Sequence, residues 1–441
     1  MNTIKVFPSE TNGVIKPLHG VNNSPISFGG LTDLSRHWKR AGFPFARQHD
    51  NDWPHPVSVD IPQIFRNFDA DADDEKNYDF RNTDATLKAI IDCGAKIIYR
   101  LGTSIEHAAG KLYTDVPKDF DKWADICVHI IRHYNEGWAN GFRWNIEFWE
   151  IWNETDLNES NMWNGSWEQY YELYTTSAKA IKKAFPGVKV GGPAIARFYN
   201  KEYVRGFMEA IKREHAPLDF FSWHIYSGSM AEFREAVTTV EGYLKDYGHE
   251  DALMICDEWN YNLVDWFALS NATENDEWRK VEYFSTMQNE VGAAYCAAAM
   301  CVFQQSRNDI ATYYDSQPTN LFCGIFDRYG VPSKSFYAFC AFNELYKTGS
   351  SVKVENDNEG LYCIAAADED RVCILLSRYM SNSDRVRIEL SGIGRADVTV
   401  TRTDRLNTNT VTERSILENG VWEGYLPDNG IALVVLKKAE Q

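Results

Sequence analysis

Residues 146–154 read IEFWEIWNE. The run is short, rich in aromatic and β-branched residues, and closes on Asn153 and Glu154. It follows FDKWADICVHIIRHYNEG (120–137) and precedes YYELYTTSAKAIKKAF (170–185), both with apolar residues at helical spacing. A strand between two such helices is the repeating piece of a parallel β-α architecture. Reading outward from it gives seven more strands. PLHGVN (17–22), FPFARQH (43–49) and AKIIYRLG (95–102) lie upstream. VKVGGPA (188–194), LDFFSWHIY (218–226), ALMICDEWN (252–260) and IATYYDS (310–316) lie downstream. Helical patterns separate them, among them LTDLSRHWKRAG, TDATLKAIIDCG, VRGFMEAIKREH, AEFREAVTTVEGYLKDYG and VGAAYCAAAMCVFQQ. KSFYAFCAFNELYK makes a last helix. Gly42, Gly94, Gly187 and Gly248 stand where helices should stop, as C-terminal caps. Eight β-α units predict an α/β fold, a closed (β/α)8 TIM barrel over residues 17–348.

From 349 to 441 the rhythm changes. VKVENDNEGLYCIAAADEDRVCILLSRYM, RVRIEL, ADVTVTRTD and GIALVVLKKA are short strands joined by turn residues with no helix between them. They predict a C-terminal antiparallel β-sandwich domain. IKVFP, within residues 1–16, is expected to add a strand to that sandwich. A length of 441 residues suits a barrel plus one small domain.

The 44% hydrophobic content supports a sizeable core. A net charge of −18 repels phosphate backbones and anionic lipid, so neither nucleic acid nor a membrane surface is expected as a partner. Aromatics reach 14% of the chain; they fill large barrels and also stack on sugar rings, and composition leaves both uses open. The nine cysteines form no C-x-x-C pair and mostly sit in apolar runs such as LMICDEW and RVCILL. They read as reduced, buried thiols in a reducing compartment. MNTIKVFPSE lacks the basic start and apolar core of a signal peptide, and no apolar run reaches the roughly 18 residues of a membrane helix. A cytoplasmic protein is expected, with a homo-oligomer left open. The acidic FDADADDEKNYD (68–79) misses the EF-hand spacing and reads as a solvated loop.

There is no G-x-G-x-x-G after a strand, no P-loop, no H-E-x-x-H and no G-x-S-x-G. Nucleotide, zinc-protease and serine-hydrolase chemistry therefore lose their usual support. What remains is a pair of acids. Glu154 closes the fourth strand and Glu258 the seventh, and barrel enzymes carry their chemistry at the C-terminal ends of strands. Either acid alone reads as an ion-paired structural residue; two of them, each flanked by Trp and Asn, read as a catalytic pair.

These residues resemble glycoside hydrolase family 39, the family of β-xylosidases and α-L-iduronidase in clan A. The likeness rests on HGVN (19–22), RQHD (47–50), YRLG (99–102), IWNE (151–154), GGPA (191–194), DFFSWHIY (219–226) and DEWN (257–260), and covers most of the barrel. It implies Glu154 as acid/base, Glu258 as nucleophile and Asn153 as the partner of the sugar 2-hydroxyl. It implies His49, His224 and Tyr226 as residues lining the subsite. The chain departs from the family pattern at Thr155, where Pro is usual, and at Asp257, where Thr is usual. On an alternating strand, Asp257 should face the helical shell while Glu258 faces the pocket.

The chemistry needs such a pair: a proton donor to the leaving oxygen, a nucleophile on the anomeric carbon, and carboxyls about 5–5.5 Å apart in retaining enzymes. One acid must be protonated while the other is ionised, which requires unequal surroundings. Apolar neighbours such as Trp152 are expected to help the acid, and Tyr226 or Arg100 to donate to Glu258. Arg100 reads equally as the partner of a structural acid, and Asp315 as its partner or a substrate contact. Trp259, Trp266 and Tyr314 read as sugar-stacking or packing residues. No metal or organic cofactor is expected. The expected function is a retaining hydrolase of β-glycosides, with β-xylosides or related pentosides leading and an arabinosidase as an alternative. An inactive carbohydrate-binding barrel is the rival; loss of either glutamate would have signalled it, and both are present.

Overall fold

The computed structural model describes residues 2–104, 111–157, 162–262, 276–318, 322–382 and 384–438. Eight parallel strands close into a barrel in chain order: Gly20–Asn22, Phe45–Gln48, Lys96–Leu101, Phe148–Ile151, Lys189–Ile195, Phe220–Tyr226, Leu253–Asn260 and Ile310–Tyr313. Each lies inside the run expected of it, except that the fifth ends one residue later, at Ile195. Seven of the eight helical patterns also fall where expected, as Arg81–Ile91, Phe120–Asn135, Trp167–Ala184, Lys201–Glu214, Met230–Asp246, Glu290–Gln304 and Phe336–Thr348. The first is shorter, Ser35–Ala41, and a further helix, Trp278–Gln288, had no clear signal. Gly42 caps as predicted: it is left-handed (φ 62°) and its N–H donates to the Trp38 carbonyl at 2.8 Å. Gly94 and Gly248 also take positive φ. Gly187 does not; that helix ends at Ala184 and Phe185, just before Pro186.

The barrel interior is layered, and the layers follow from strand alternation. Phe45, Ile98, Phe148, Phe220, Ile255 and Ile310 come from six different strands and meet in one apolar cluster, so they form the floor. Two residues further along the same strands stand Arg47, Arg100, Glu150, Ser222, Asp257 and Thr312, all fully buried. The barrel thus changes from hydrocarbon to a polar layer in one step, and the candidate site sits on that layer.

Apart from a two-stranded ribbon of Ile26–Ser27 and Thr32–Asp33, the remaining strands form one nine-stranded sheet, curled around its own core of Val6, Ile374, Leu376, Ile388, Val400, Trp422 and others. It is antiparallel except where Asn2–Val14 runs parallel to Asp384–Leu390; that N-terminal strand also pairs antiparallel with Ser350–Glu355. The other face of the sheet offers Ile364, Ala366, Cys373, Leu375 and Ile431 to the main barrel core. All nine cysteines are unpaired thiols and seven are buried. No helix among the described residues is long and apolar enough to cross a membrane.

Candidate active site

Glu258 is almost wholly buried, and two donors hold it. Arg47 Nη1 donates to Oε1 at 2.7 Å and the Tyr226 hydroxyl donates to Oε2 at 2.6 Å. Charge-assisted bonds of this length favour the anion. Burial and the neighbouring Glu154 act the other way, and the carboxyl ends above its ordinary 4.5 despite His224 and Arg47. His49 Nε2 lies 3.7 Å from Oε1, on the same side as Arg47.

Glu154 lies past the end of the fourth strand, on a turn of unusual backbone. Trp152 (φ 69°) and Glu154 (φ 49°) are both left-handed, and Ala194 (φ 51°) faces them. Such conformations persist only where neighbours hold them. Here the Glu154 N–H donates to the Ala194 carbonyl at 3.0 Å, and the Thr155 hydroxyl meets Tyr203 OH at 2.5 Å. Asp156 accepts from the main-chain N–H groups of Ala196 and Arg197, each at 3.0 Å. The loop that carries Glu154 is thereby tied to the loop after the fifth strand. His224 Nδ1 stands 2.8 Å from Glu154 Oε1 and 3.6 Å from Glu258 Oε2. One oxygen of each glutamate and a nitrogen of His224 all lie within 4.8 Å of one another. The two acids, 104 positions apart in sequence, share one pocket.

Asp257 does not face the helical shell. It is fully buried inside the barrel, 3.0 Å from Arg47 Nε and 3.4 Å from His224 Nε2. Counting from Ile255 in the floor, alternation turns Asp257 inward as well. Glu258 joins it because the ladder to the sixth strand slips between Cys256 and Glu258. A bulge there turns two successive side chains to one side. Asp257 does not displace Glu258; it lies one layer below. Burial alone would raise its carboxyl, but Arg47 and His224 outweigh burial and hold it at about 2. The same acids, Glu258 first, hold the His224 imidazolium well above the ordinary histidine range against burial.

A family profile for glycosyl hydrolases family 39 matches residues 36–353. The chain belongs to glycosyl hydrolases family 39. It is a glycoside hydrolase, and its substrate is a carbohydrate. A β-xylosidase of Caldicellulosiruptor saccharolyticus is 24% identical over 393 residues, covering 83% of this chain and 77% of that one. Among solved structures, a glucosidase from Croceicoccus marinus superposes with a TM-score of 0.83 at 21% identity, over 100% of this chain and 99% of its own. A monomeric β-xylosidase from Caulobacter crescentus superposes with a TM-score of 0.74 at 18% identity, over the whole of both chains. At such identities the structural likeness speaks for the fold.

Within this family 39 site, the residues expected from sequence fall into two groups. Asn153, Glu154, His224, Tyr226, Glu258 and His49 converge. Arg100 takes the structural one of its two expected roles, as the partner of a buried acid. It is fully buried, with Nη2 donating to Asp60 Oδ1 at 2.6 Å and to the His49 carbonyl at 3.0 Å, and Nε 3.2 Å from His49 Nδ1. It orients His49; the arginine that donates to Glu258 is Arg47. Asp315 accepts from Asn23 and the Gln317 main chain, and the acid beside Arg100 is Asp60. Tyr314 OH donates to Asp50 at 2.8 Å, with its ring 6.5 Å from that of Tyr226. Trp259 packs against Tyr313, Phe339 and Phe303 in the shell, fully buried, so it stacks on no sugar. Trp152 likewise turns to Trp163 and Trp123. Trp266 lies outside the described residues.

Sequence reasoning missed Arg47. Its five N–H groups reach Glu150, Glu258, Asn153 and Asn22, and it is the hub of the site. The signal was available: an arginine in mid-strand, in a run of core residues, is almost never buried unless paired. Its partners were not legible, because they lie on three other strands.

Proposed function

We propose that this family 39 enzyme is a retaining hydrolase of β-glycosides, with β-xylosides or related pentosides as substrates, acting through Glu154 as acid/base and Glu258 as nucleophile. The observation that carries the reading is the approach of one Glu154 oxygen and one Glu258 oxygen to within 4.8 Å. That spacing fits the roughly 5–5.5 Å between carboxyls in double displacement, against about 6.5–9.5 Å when a water must fit between them. In the first step Glu154 gives its proton to the leaving oxygen while Glu258 attacks the anomeric carbon and the glycosidic bond breaks. In the second, Glu154 takes a proton from water, the oxygen of that water bonds the anomeric carbon, and Glu258 leaves as the carboxylate. Arg47 and Tyr226 hold Glu258 ionised and aimed. His224 holds Glu154.

Asn153 suits the 2-hydroxyl. Its Oδ1 is occupied by Arg47 at 2.7 Å, which fixes the amide, and its Nδ2 is buried with no partner among the described residues. An amide so placed is a donor waiting for an acceptor. A neutral sugar fits better than a uronic acid, since Arg47 and Arg100 are both already paired with acids. The β-xylosidase relative points to the pentoside. The test is NMR of the first sugar released from an aryl β-xyloside. A β-anomer ahead of mutarotation is expected; an α-anomer overturns the mechanism. A panel of nitrophenyl glycosides should rank the β-xyloside first.

A further inference from the structure

Three carboxyl groups crowd the Arg47 guanidinium in the buried layer: Glu150, Asp257 and Glu258. The hydrogen count does not close around them. Arg47 Nε–H goes to Glu150 Oε2 at 2.7 Å; Nη1 serves Glu258 and Asn22; Nη2 serves Asn153 and the same Glu150 oxygen. An arginine has five such hydrogens, and none is left over. Glu150 Oε1 and both Asp257 oxygens are buried with no donor in hydrogen-bond geometry among the described residues. Yet Glu150 Oε2 and Asp257 Oδ2 crowd the same Arg47 nitrogen, at 2.7 and 3.0 Å from Nε, so the two carboxyls meet side by side. Two acceptors in contact, out of water, require a proton between them.

We propose that Glu150 is a neutral carboxylic acid donating its proton to Asp257, and that this pair is a positioning element: it seats Arg47 under Glu258 while adding only one negative charge to the floor of the site. The function of the pair rests on Glu258 being the nucleophile. Asp257 carries the charge because two cations face it, Arg47 at 3.0 Å and His224 at 3.4 Å, whereas Glu150 faces Arg47 alone. The pull on each acid agrees: burial drives Glu150 well above its ordinary value, while Asp257 is held at about 2. The ionisable groups facing the pair are Arg47 from the second strand, His224 from the sixth and Glu258 from the seventh, with Glu154 across the pocket; the Tyr170 hydroxyl beside Glu150 and the Cys256 thiol beside Asp257 are both pushed up by burial, and Ser222 is a neutral neighbour. With Glu150 neutral, the two cations Arg47 and His224 face the two carboxylates Asp257 and Glu258. A further buried anion would push its proton onto Glu258 and silence it.

The experiment is infrared spectroscopy of the whole enzyme in D2O at neutral pH, comparing wild type with Glu150→Gln and Glu154→Gln. A protonated-carboxyl stretch lost only in Glu150→Gln is expected. Its absence from wild type, or its survival in Glu150→Gln, overturns the proposal. If Glu150→Gln does not fold, glutamate-selective 13C labelling of Glu154→Gln must still shift a protonated-carboxyl band; an unshifted spectrum overturns it equally. The band is read without turnover, so it stands or falls apart from the nucleophile assignment. The acid limb of kcat/KM supplies the functional reading. Gln replaces a neutral acid with a neutral amide, so the limb should move by less than about 0.3 pH unit; loss of a true charge would lower it by about one unit or more.

Discussion

Arg47 is the residue on which the site turns. It links the two functional acids' surroundings by donating to Glu258 and to Asn153, the neighbour of Glu154. Arg47→Met leaves Glu150, Asp257 and Glu258 buried without their cation. Removing one partner of a buried ion pair costs about 3–5 kcal/mol, and losing a preorganised donor costs about 10²–10³ in kcat. Both losses are expected, read by urea unfolding and steady-state kinetics. Arg47→Lys should not restore activity, since one ammonium cannot replace a planar fork with several acceptors. The pH profile follows from Glu258. As the proposed nucleophile it must be ionised to attack; its carboxyl is raised by burial and by Glu154, so activity is expected to fall as pH drops through that raised value. The acid limb of kcat/KM is therefore expected above 4.5. A limb at or below that value would contradict the assignment.

At the level of elements, strand alternation and its one interruption shape the pocket. The six inward residues of the floor predict the six polar residues above them by a step of two. The bulge between Cys256 and Glu258 then brings a second acid inward on the seventh strand. The loop after the fourth strand is the other working element, and Asp156 is its clamp. Asp156→Ala removes two main-chain bonds to a carboxylate, so a loss of about 2–3 kcal/mol is expected in thermal or urea unfolding. Because the clamp positions the turn bearing Glu154, kcat should fall about tenfold with KM nearly unchanged. An unchanged kcat would show that the turn holds itself.

Across the whole molecule, the sheet and the barrel are continuous in their packing. Tyr379 OH donates to the Gly228 carbonyl at 2.7 Å, Ser377 to the Ala294 carbonyl at 2.7 Å, and Gln305 to the Cys363 carbonyl at 3.1 Å. The helix Glu290–Gln304, buried along nearly its whole length, is covered on one side by the sheet. A chain ending at Thr348 would expose that apolar helix to water and leave the strand Asn2–Val14 without its pairing partners. It is expected to aggregate, while the full chain unfolds in a single transition; a soluble, active truncation would contradict this.

The order of strands, the barrel and the pairing of Glu154 with Glu258 were all readable in one dimension. Periodicity and strand ends are local properties, and the chemistry stands at strand ends. The roles of Arg47, Asp257 and Arg100 were decided only in three dimensions. Arg100 was bound by Asp60, on a loop 40 positions away, and Asp257 was turned inward by a slip between two paired strands. A charge is given its role by the charges around it, and those come from strands that adjoin one another only when the barrel closes.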